Sequence, residues 1–288
     1  MLSGYIENIL IFNGINIVIA LSLYLPFSAG QISLAQAGFM AIGAYGSSIL
    51  TRDFGFPFYI ALTLGGLFSA LIGVLVGFPA LRIKGIYLLL LTLAFGEMVR
   101  VFFLNFELTG AAAGMGGMEL HTNLINVYAI VALLILFFNR VKGSRMGRAF
   151  EAMREDEIAA EVMGINIVKA KLTAFGLGAF IAGLGGGLYA HYTMYIDSPK
   201  FGFLLAVEFF VFVVFGGMET FWGPVVGATL LTLIPEFVRF LKDWRMIFYG
   251  FVIVLLMIVR PQGLIDKKLV DMISRNAKRL LGMSICKT

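Results

Sequence analysis

Apolar residues run through this chain in long blocks, without the alternation of a half-buried strand or the three-four spacing of a surface helix. The blocks fall roughly at 6–25, 35–50, 58–78, 85–104, 124–139, 171–192, 204–217, 223–241 and 246–260. A straight helix needs about 20 such residues to cross a bilayer. The pattern predicts an all-α, polytopic transmembrane helical bundle of about nine spans, within a range of eight to ten. A β-barrel would instead show alternating segments of about 10 residues. The N-terminal stretch MLSGYIENIL lacks a basic start and reads as part of a retained first span.

The longest polar interruption is internal. Residues 140–171, RVKGSRMGRAFEAMREDEIAAEVMGINIVKAK, hold 12 of the 39 Asp, Glu, Lys and Arg side chains (22 basic plus 17 acidic). Within them, 147–155 and 156–164 read as two short helices joined by a polar corner. Phe150, Met153, Ile158, Val162 and Met163 give them apolar faces, and Arg148, Glu151, Arg154, Glu155, Asp156, Glu157 and Glu161 give polar ones. Asp156 is placed as an N-cap and Gly164 as a helix stop. An amphipathic pair of this kind fits a helix-in-groove docking element.

Composition agrees with lipid as the solvent. The chain of 288 residues is 60% apolar and 14% charged, with a mean hydropathy of +0.93; soluble domains carry about 25% charged residues. Placing the 140–171 loop and the C-terminus in the cytoplasm puts 16 of the 22 basic residues inside: Arg82 and Lys84, seven in the loop and seven in 260–288. That divides the chain into a transmembrane unit, 1–265, and a basic cytoplasmic tail, 266–288. The tail is either an amphipathic helix on the inner leaflet or a solubilising segment. The net charge of +5 follows topology and needs no nucleic acid.

Small residues recur every fourth position in two spans: Ala174, Gly178, Ala182, Gly186 and Ala190, and Gly65, Ser69, Gly73 and Gly77. In lipid such faces bring helix backbones together, and they are also expected to let helices slide. The join PFSAGQISLAQAGF at 26–39 is either a cytoplasmic turn or a broken segment near a pathway, which makes Gln31 and Gln36 translocation-path candidates. Glu97 with Arg100, and Glu236 with Arg239, are spaced to neutralise one another near outer helix ends. Glu208 has no base one turn away and is expected in an outer vestibule or at headgroup level. The Gly-rich segment 108–119 reads as a flexible outer cap or docking surface.

Enzyme chemistry is not legible. His121 and His191 lack a zinc-binding frame, the single Cys286 excludes an internal disulfide, and neither Gly-x-Ser-x-Gly nor a Walker A motif occurs. No cofactor is expected on this chain.

GRAFEAMREDEIAAEVMGINIVKAKLTAFGLGAFIAGLGGGLYA resembles the cytoplasmic loop and following helix of LivM-type permeases of branched-chain amino acid ABC importers. GQISLAQAGFMAIGAYGSS, LRIKGIYLLLLTLAFGEMVR, GGMETFWGPVVGA and RPQGL carry the same resemblance in order along the chain. Glu219 departs from it, standing where the family more often has a small residue. The resemblance implies a multi-pass permease in the cytoplasmic (inner) membrane of a prokaryote. Its implied partners are a LivH-like second permease, two ATPase subunits that hold ATP and Mg, an extracytoplasmic solute-binding protein and membrane lipid. It also implies that Gly147, Arg148, Glu151, Arg154, Glu155, Asp156 and Gly164 couple the chain to the ATPases. The substrate class would be branched-chain or related hydrophobic amino acids, with urea or short amides as an alternative. A stand-alone secondary transporter or channel using Glu208, or a membrane scaffold, are readings from other classes.

Overall fold

The computed structural model describes residues 2–80, 83, 85–237, 250, 254 and 263–265. The expected span at 246–260, the tail from 266, Arg82, Lys84 and the pairing of Glu236 with Arg239 lie outside what it describes. Eight helices match the remaining apolar blocks: α1 (Leu2–Ser28), α2 (Gln36–Arg52), α3 (Phe58–Ala80), α4 (Ile86–Asn105), α5 (Leu124–Gly143), α8 (Ile167–Thr193), α9 (Phe203–Gly216) and α10 (Trp222–Phe237). Between α5 and α8 lie α6 (Arg145–Glu155) and α7 (Glu157–Val162). Among the described residues, α1, α3, α4, α5 and α8 are long and apolar enough to cross a membrane. α2, α9 and α10 are shorter, so the count of nine does not follow from helix length alone.

The bundle is arranged for lipid. On α3 the small residues Gly65, Ser69, Gly73 and Gly77 are buried, while Leu67, Phe68, Leu71, Leu75 and Phe78 point outward and are more than half exposed. Burying small residues costs little apolar contact with lipid and gains close backbone packing. α8 is the hub. Its small-residue face lies against α1, α2 and α3, and Ala174, Gly178, Ala182, Gly186 and Ala190 are all buried. A Cβ on Gly186 would meet the carbonyl carbon of Met40 at 2.8 Å and the amide nitrogen of Ala44 at 2.9 Å, both backbone atoms of α2. Ser69 Oγ on α3 reaches the carbonyl of Phe39 on α2 at 3.1 Å and that of Ala179 on α8 at 2.9 Å. Its single proton is shared between two helices. The expected sliding face is therefore an interlocked one.

The all-α architecture carries one small strand pair. Met115–Gly116 (β1) pairs antiparallel with Tyr195–Ile196 (β2), Met115 opposite Ile196. The Gly-rich segment is a folded cap, since Met115 and Met118 are buried and Tyr195 donates to the Ala113 carbonyl at 2.8 Å. Gly114 has φ +73, and a Cβ there would meet the Ile196 carbonyl oxygen at 2.7 Å, so the strand pair closes only over glycine.

The two ends of the bundle are distinct. One carries α6, α7, the α1–α2 join and the α9–α10 turn. Residues 263–265 return to this end, with Leu264 and Ile265 donating backbone hydrogen bonds to the carbonyls of Phe215 (3.0 Å) and Gly216 (2.9 Å). The other end carries the β1–β2 cap.

Replacing Gly186 tests the hub. Gly186→Ala is expected to lower stability by about 1–3 kcal/mol, the range for overpacking, and Gly186→Leu to leave little folded protein. Melting of the detergent-solubilised chain, followed by size-exclusion chromatography, reads both. A leucine variant that melts like the wild type would show that α8 does not seat on α2.

Candidate functional site

The α6–α7 pair is built as its sequence predicts. Ser144 caps α6, its Oγ accepting from Gly147 N at 3.3 Å. Asp156 caps α7, its Oδ1 accepting from Ile158 N at 2.9 Å and Ala159 N at 3.1 Å. Gly164, at φ +85, ends the turn after α7. Gly147 has a steric reason to be glycine: a Cβ would strike the Val141 carbonyl of α5, so α6 folds back sharply only without one.

The apolar residues of the pair divide into two sets. Phe150, Met153 and Ala160 are buried against the bundle. Ile158, Val162 and Met163 are 74%, 82% and 83% exposed and touch nothing that would shelter them. The polar residues divide as well. Arg154 Nη1 donates to the Met218 carbonyl in the α9–α10 turn at 3.2 Å, and Arg148 Nη1 to the Gly143 carbonyl at 2.9 Å. Lys171 Nζ of α8 pairs with Glu157 Oε1 at 2.7 Å, tying α7 to the start of α8. Glu155 and Glu161, beside the exposed apolar side chains, are on the surface, and Glu157 is half-buried. A small cavity of about 70 Å³ lies behind α6, where Tyr24, Glu151, Arg154 and Thr220 meet. Glu219, the residue that departs from the small-residue pattern, borders the same cavity, and its carbonyl faces Tyr24 Oη at 3.5 Å.

The join at 26–39 is a turn at this end. Gly30 N donates to the Phe27 carbonyl and Gln31 N to the Pro26 carbonyl, a glycine-closed helix end. Gln31 is buried, and among the described residues its Oε1 has no hydrogen-bond partner. Gln36 is also buried, and its Nε2 approaches the Ser22 carbonyl at 3.4 Å. Pro26 explains that contact: lacking an N–H, it leaves the Ser22 carbonyl without its helical donor. Gln36 supplies one, and Gly178 leaves room, since a Cβ there would come within 2.8 Å of the Ser22 oxygen. Gln36 is thus placed as a repair of the helix, and neither glutamine borders the clefts described here. Glu208 is exposed on the lateral face of α9, one turn from Leu204, which is 81% exposed.

Two clefts open at the far end. One, of about 390 Å³, lies between the α2–α3 turn and residues 117–121, with Arg52, Glu119 and His121 on its walls. Arg52 Nε and Nη2 grip Asp53 at 2.7 and 3.1 Å, and this hydrogen bonding holds the Asp53 carboxyl below its usual range. His191 is buried behind the cleft. Its Nδ1 donates to the Gly187 carbonyl at 2.8 Å, leaving Nε2 to face Thr51 Oγ1 at 3.0 Å. His121 and His191 both pack on Phe58. Among the described residues no group of three His, Cys, Asp or Glu side chains is placed to hold a metal.

The second cleft, of about 360 Å³, lies where α4 meets the start of α9. Glu97 Oε2 accepts from Arg100 Nε at 2.6 Å, as the spacing predicts. Glu97 Oε1 accepts from Phe203 N at 2.7 Å, capping α9, a contact that spacing along one helix could not reveal. Ser198 Oγ donates to the Arg100 carbonyl. Lys200 pairs with Asp197 at 2.9 Å, and that hydrogen bond keeps its ammonium above the usual lysine range.

The described geometry has relatives among known proteins. Residues 5–258 match the family model described as branched-chain amino acid transport system / permease component. The chain is 35% identical to the high-affinity branched-chain amino acid transport system permease protein LivM of Salmonella typhimurium and 34% identical to that of Escherichia coli. In both cases the similarity covers 88% of this chain and 66% of the relative, so the chain spans just under two thirds of those proteins' length. It is also 23% identical to the probable branched-chain amino acid transport permease protein LivH of Methanocaldococcus jannaschii, over 97% of this chain and 96% of the relative. No solved structure matches.

The role given to Gln36 predicts a coupled pair of substitutions. Gln36→Leu should cost about 1–3 kcal/mol, the penalty for stranding a buried acceptor. In a Pro26→Ala background, where the backbone N–H at position 26 is restored, that loss should shrink by about 1 kcal/mol. A double-mutant cycle on melting in detergent checks it; strictly additive losses would show that Gln36 does not serve this carbonyl.

Proposed function

The chain belongs to the family of branched-chain amino acid transport system permease components, and on that premise we propose that it is a membrane-spanning subunit of an ABC importer. It carries branched-chain or related hydrophobic amino acids inward, and ATP is hydrolysed, with Mg, on two separate ATPase subunits that dock on α6–α7. One observation carries the docking: Ile158, Val162 and Met163 stand 74–83% exposed on a capped helix outside the bundle, beside Glu155, Glu157 and Glu161. An apolar ridge with a charged rim is the surface that a groove in a partner covers.

The end that bears α6–α7 is the cytoplasmic one in this reading. The loop 140–171 concentrates basic charge there, and residues 263–265 lie at the same end. The cap and the two far-end clefts then face the extracytoplasmic solute-binding protein. The membrane is the inner membrane of a prokaryote.

Similarity to both LivM and LivH proteins supports a related second permease as partner. That pairing gives Glu208 a place. An exposed carboxylate on a spanning helix is costly against lipid and tolerable against protein or a wet path, so Glu208, one turn below the cleft, is placed against the second permease or a wet path beside it. A stand-alone secondary transporter would need Glu208 on an internal path of this chain, whereas the residue is exposed in this chain.

The double variant Ile158→Asp, Val162→Asp is expected to fold, because both side chains are exposed, and to lose coupling. ATPase recovered with the permease from native membranes, and ATP-dependent uptake, should each fall about tenfold or more, equivalent to ~1.4 kcal/mol or more of docking free energy. Undiminished recovery and uptake would remove α7 from the docking surface.

A further inference from the structure

The geometry of the second far-end cleft points to a ligand. Arg100 reaches it from α4, five residues before the helix ends, which is about 7.5 Å along the axis. Its Nε is held by Glu97. Among the described residues, neither terminal nitrogen of the guanidinium makes a hydrogen bond. Both oxygens of Glu97 are already engaged, by Arg100 and by the first N–H of α9, so the glutamate fixes the guanidinium and leaves the fork open. The fit is close on the α9 side: a Cβ on Gly202 would lie 3.1 Å from Arg100 Cδ and 3.4 Å from Glu97 Oε1.

The opposite wall is apolar. Pro199, Phe203, Leu204 and Leu205 line it, with Phe203 50% and Leu204 81% exposed. Lys200 adds a second cation at the rim. The volume of about 360 Å³ lies within the usual range for small-molecule sites, about 300–1,000 Å³. A planar donor fork in one cleft with an apolar wall is complementary to a carboxylate carrying a short hydrocarbon group.

We propose that this cleft is a subsite for a small aliphatic carboxylate, with the terminal nitrogens of Arg100 binding the carboxylate and Phe203, Leu204 and Leu205 taking the hydrocarbon. Identifying that ligand as an amino acid in transit rests on the importer reading above; the carboxylate chemistry does not.

The test uses the assembled transporter in nanodiscs of zwitterionic lipid. Cys286→Ser removes the native thiol and Leu204→Cys places a reporter in the cleft. The rate of modification by a small water-soluble thiol reagent is measured with isovalerate, isovaleramide, leucine or leucinamide at millimolar concentration. The expected result is at least fivefold slowing by the two acids, none by the two amides, and loss of the slowing in Arg100→Gln. Arg100→Lys, with the charge but no fork, should retain only part of the protection. Should Arg100→Gln fail to assemble, the acid–amide contrast in the parent still decides.

Equal protection by acid and amide overturns the subsite. So does a reporter that never labels, which would mean that protein fills the cleft. A reporter blocked only when anionic lipid is added overturns it too, in favour of a headgroup site. Acid-specific protection in a complex that does not take up leucine upholds the subsite and sinks the amino-acid reading. Leucine uptake without acid-specific protection does the reverse.

Discussion

Backbone-to-backbone contact between α8 and its neighbours is the constraint on which the rest of the molecule depends. Lipid tails are as apolar as leucine, so burying leucine gains little there, and close approach of small residues takes over the role of a hydrophobic core. The chain follows this closely. Gly183 of α8 leaves space for Gly66 and Ser69 of α3, and Gly186 seats on the Met40 carbonyl of α2. Ser69 then donates to carbonyls on both other helices. α2, which is too short to count as a span by length, is held in place because it is enclosed by these neighbours; twelve of its 17 residues are buried.

Around this trio the polar groups collect at the two ends, and α9 runs between them. Its C-terminal end receives backbone hydrogen bonds from Leu264 and Ile265 and leads into the turn whose Met218 carbonyl accepts from Arg154 of α6. Its N-terminal end is capped by Glu97 of α4. A helix fastened by backbone carbonyls at one end and by a carboxylate at the other transmits displacement along its axis better than a loop would. The reason for its 14-residue length is also local: the chain leaves β2, turns inward through Ser198–Phe201, and buries Phe201 near Tyr45 and Tyr189 before α9 begins.

Much of this was readable in the sequence, for reasons that differ between elements. The apolar blocks located eight helices because length and hydropathy are local properties. The caps at Asp156 and Gly164 were readable because their bonds lie within four residues. The small-residue stripes gave the inward faces of α3 and α8, where hydropathy alone could not, since the large apolar residues of α3 point outward. What failed to show was long-range. Gln36 showed itself as a polar residue inside the membrane, but not its partner, a carbonyl 14 residues away, freed by Pro26. Glu97 paired with Arg100 as its spacing promised, but its second bond crosses 106 residues to Phe203. The β1–β2 cap, with two residues per strand, is too short to leave a period in the sequence.

The same constraint that builds the bundle limits how it can move. Helices α2, α3 and α8 share bonded carbonyls and leave no space for a Cβ at their contacts, so relative sliding within the trio would break Ser69's bonds and drive Met40 and Gly183 into neighbouring backbone. Relative movement of the helices is therefore easiest where contacts are made by side chains. Two places qualify. One is the seam between α6 and the α9–α10 turn, where an arginine-to-carbonyl bond lies beside a small cavity. The other is the cleft where Glu97 and Arg100 meet the start of α9. Both lie on α9, and its outward face carries Glu208 and Leu204, away from the trio. The rigid part of the molecule and the part with exposed side-chain contacts are thus separated by sequence chemistry: glycine and serine where backbones lock, and arginine, glutamate and large apolar side chains elsewhere.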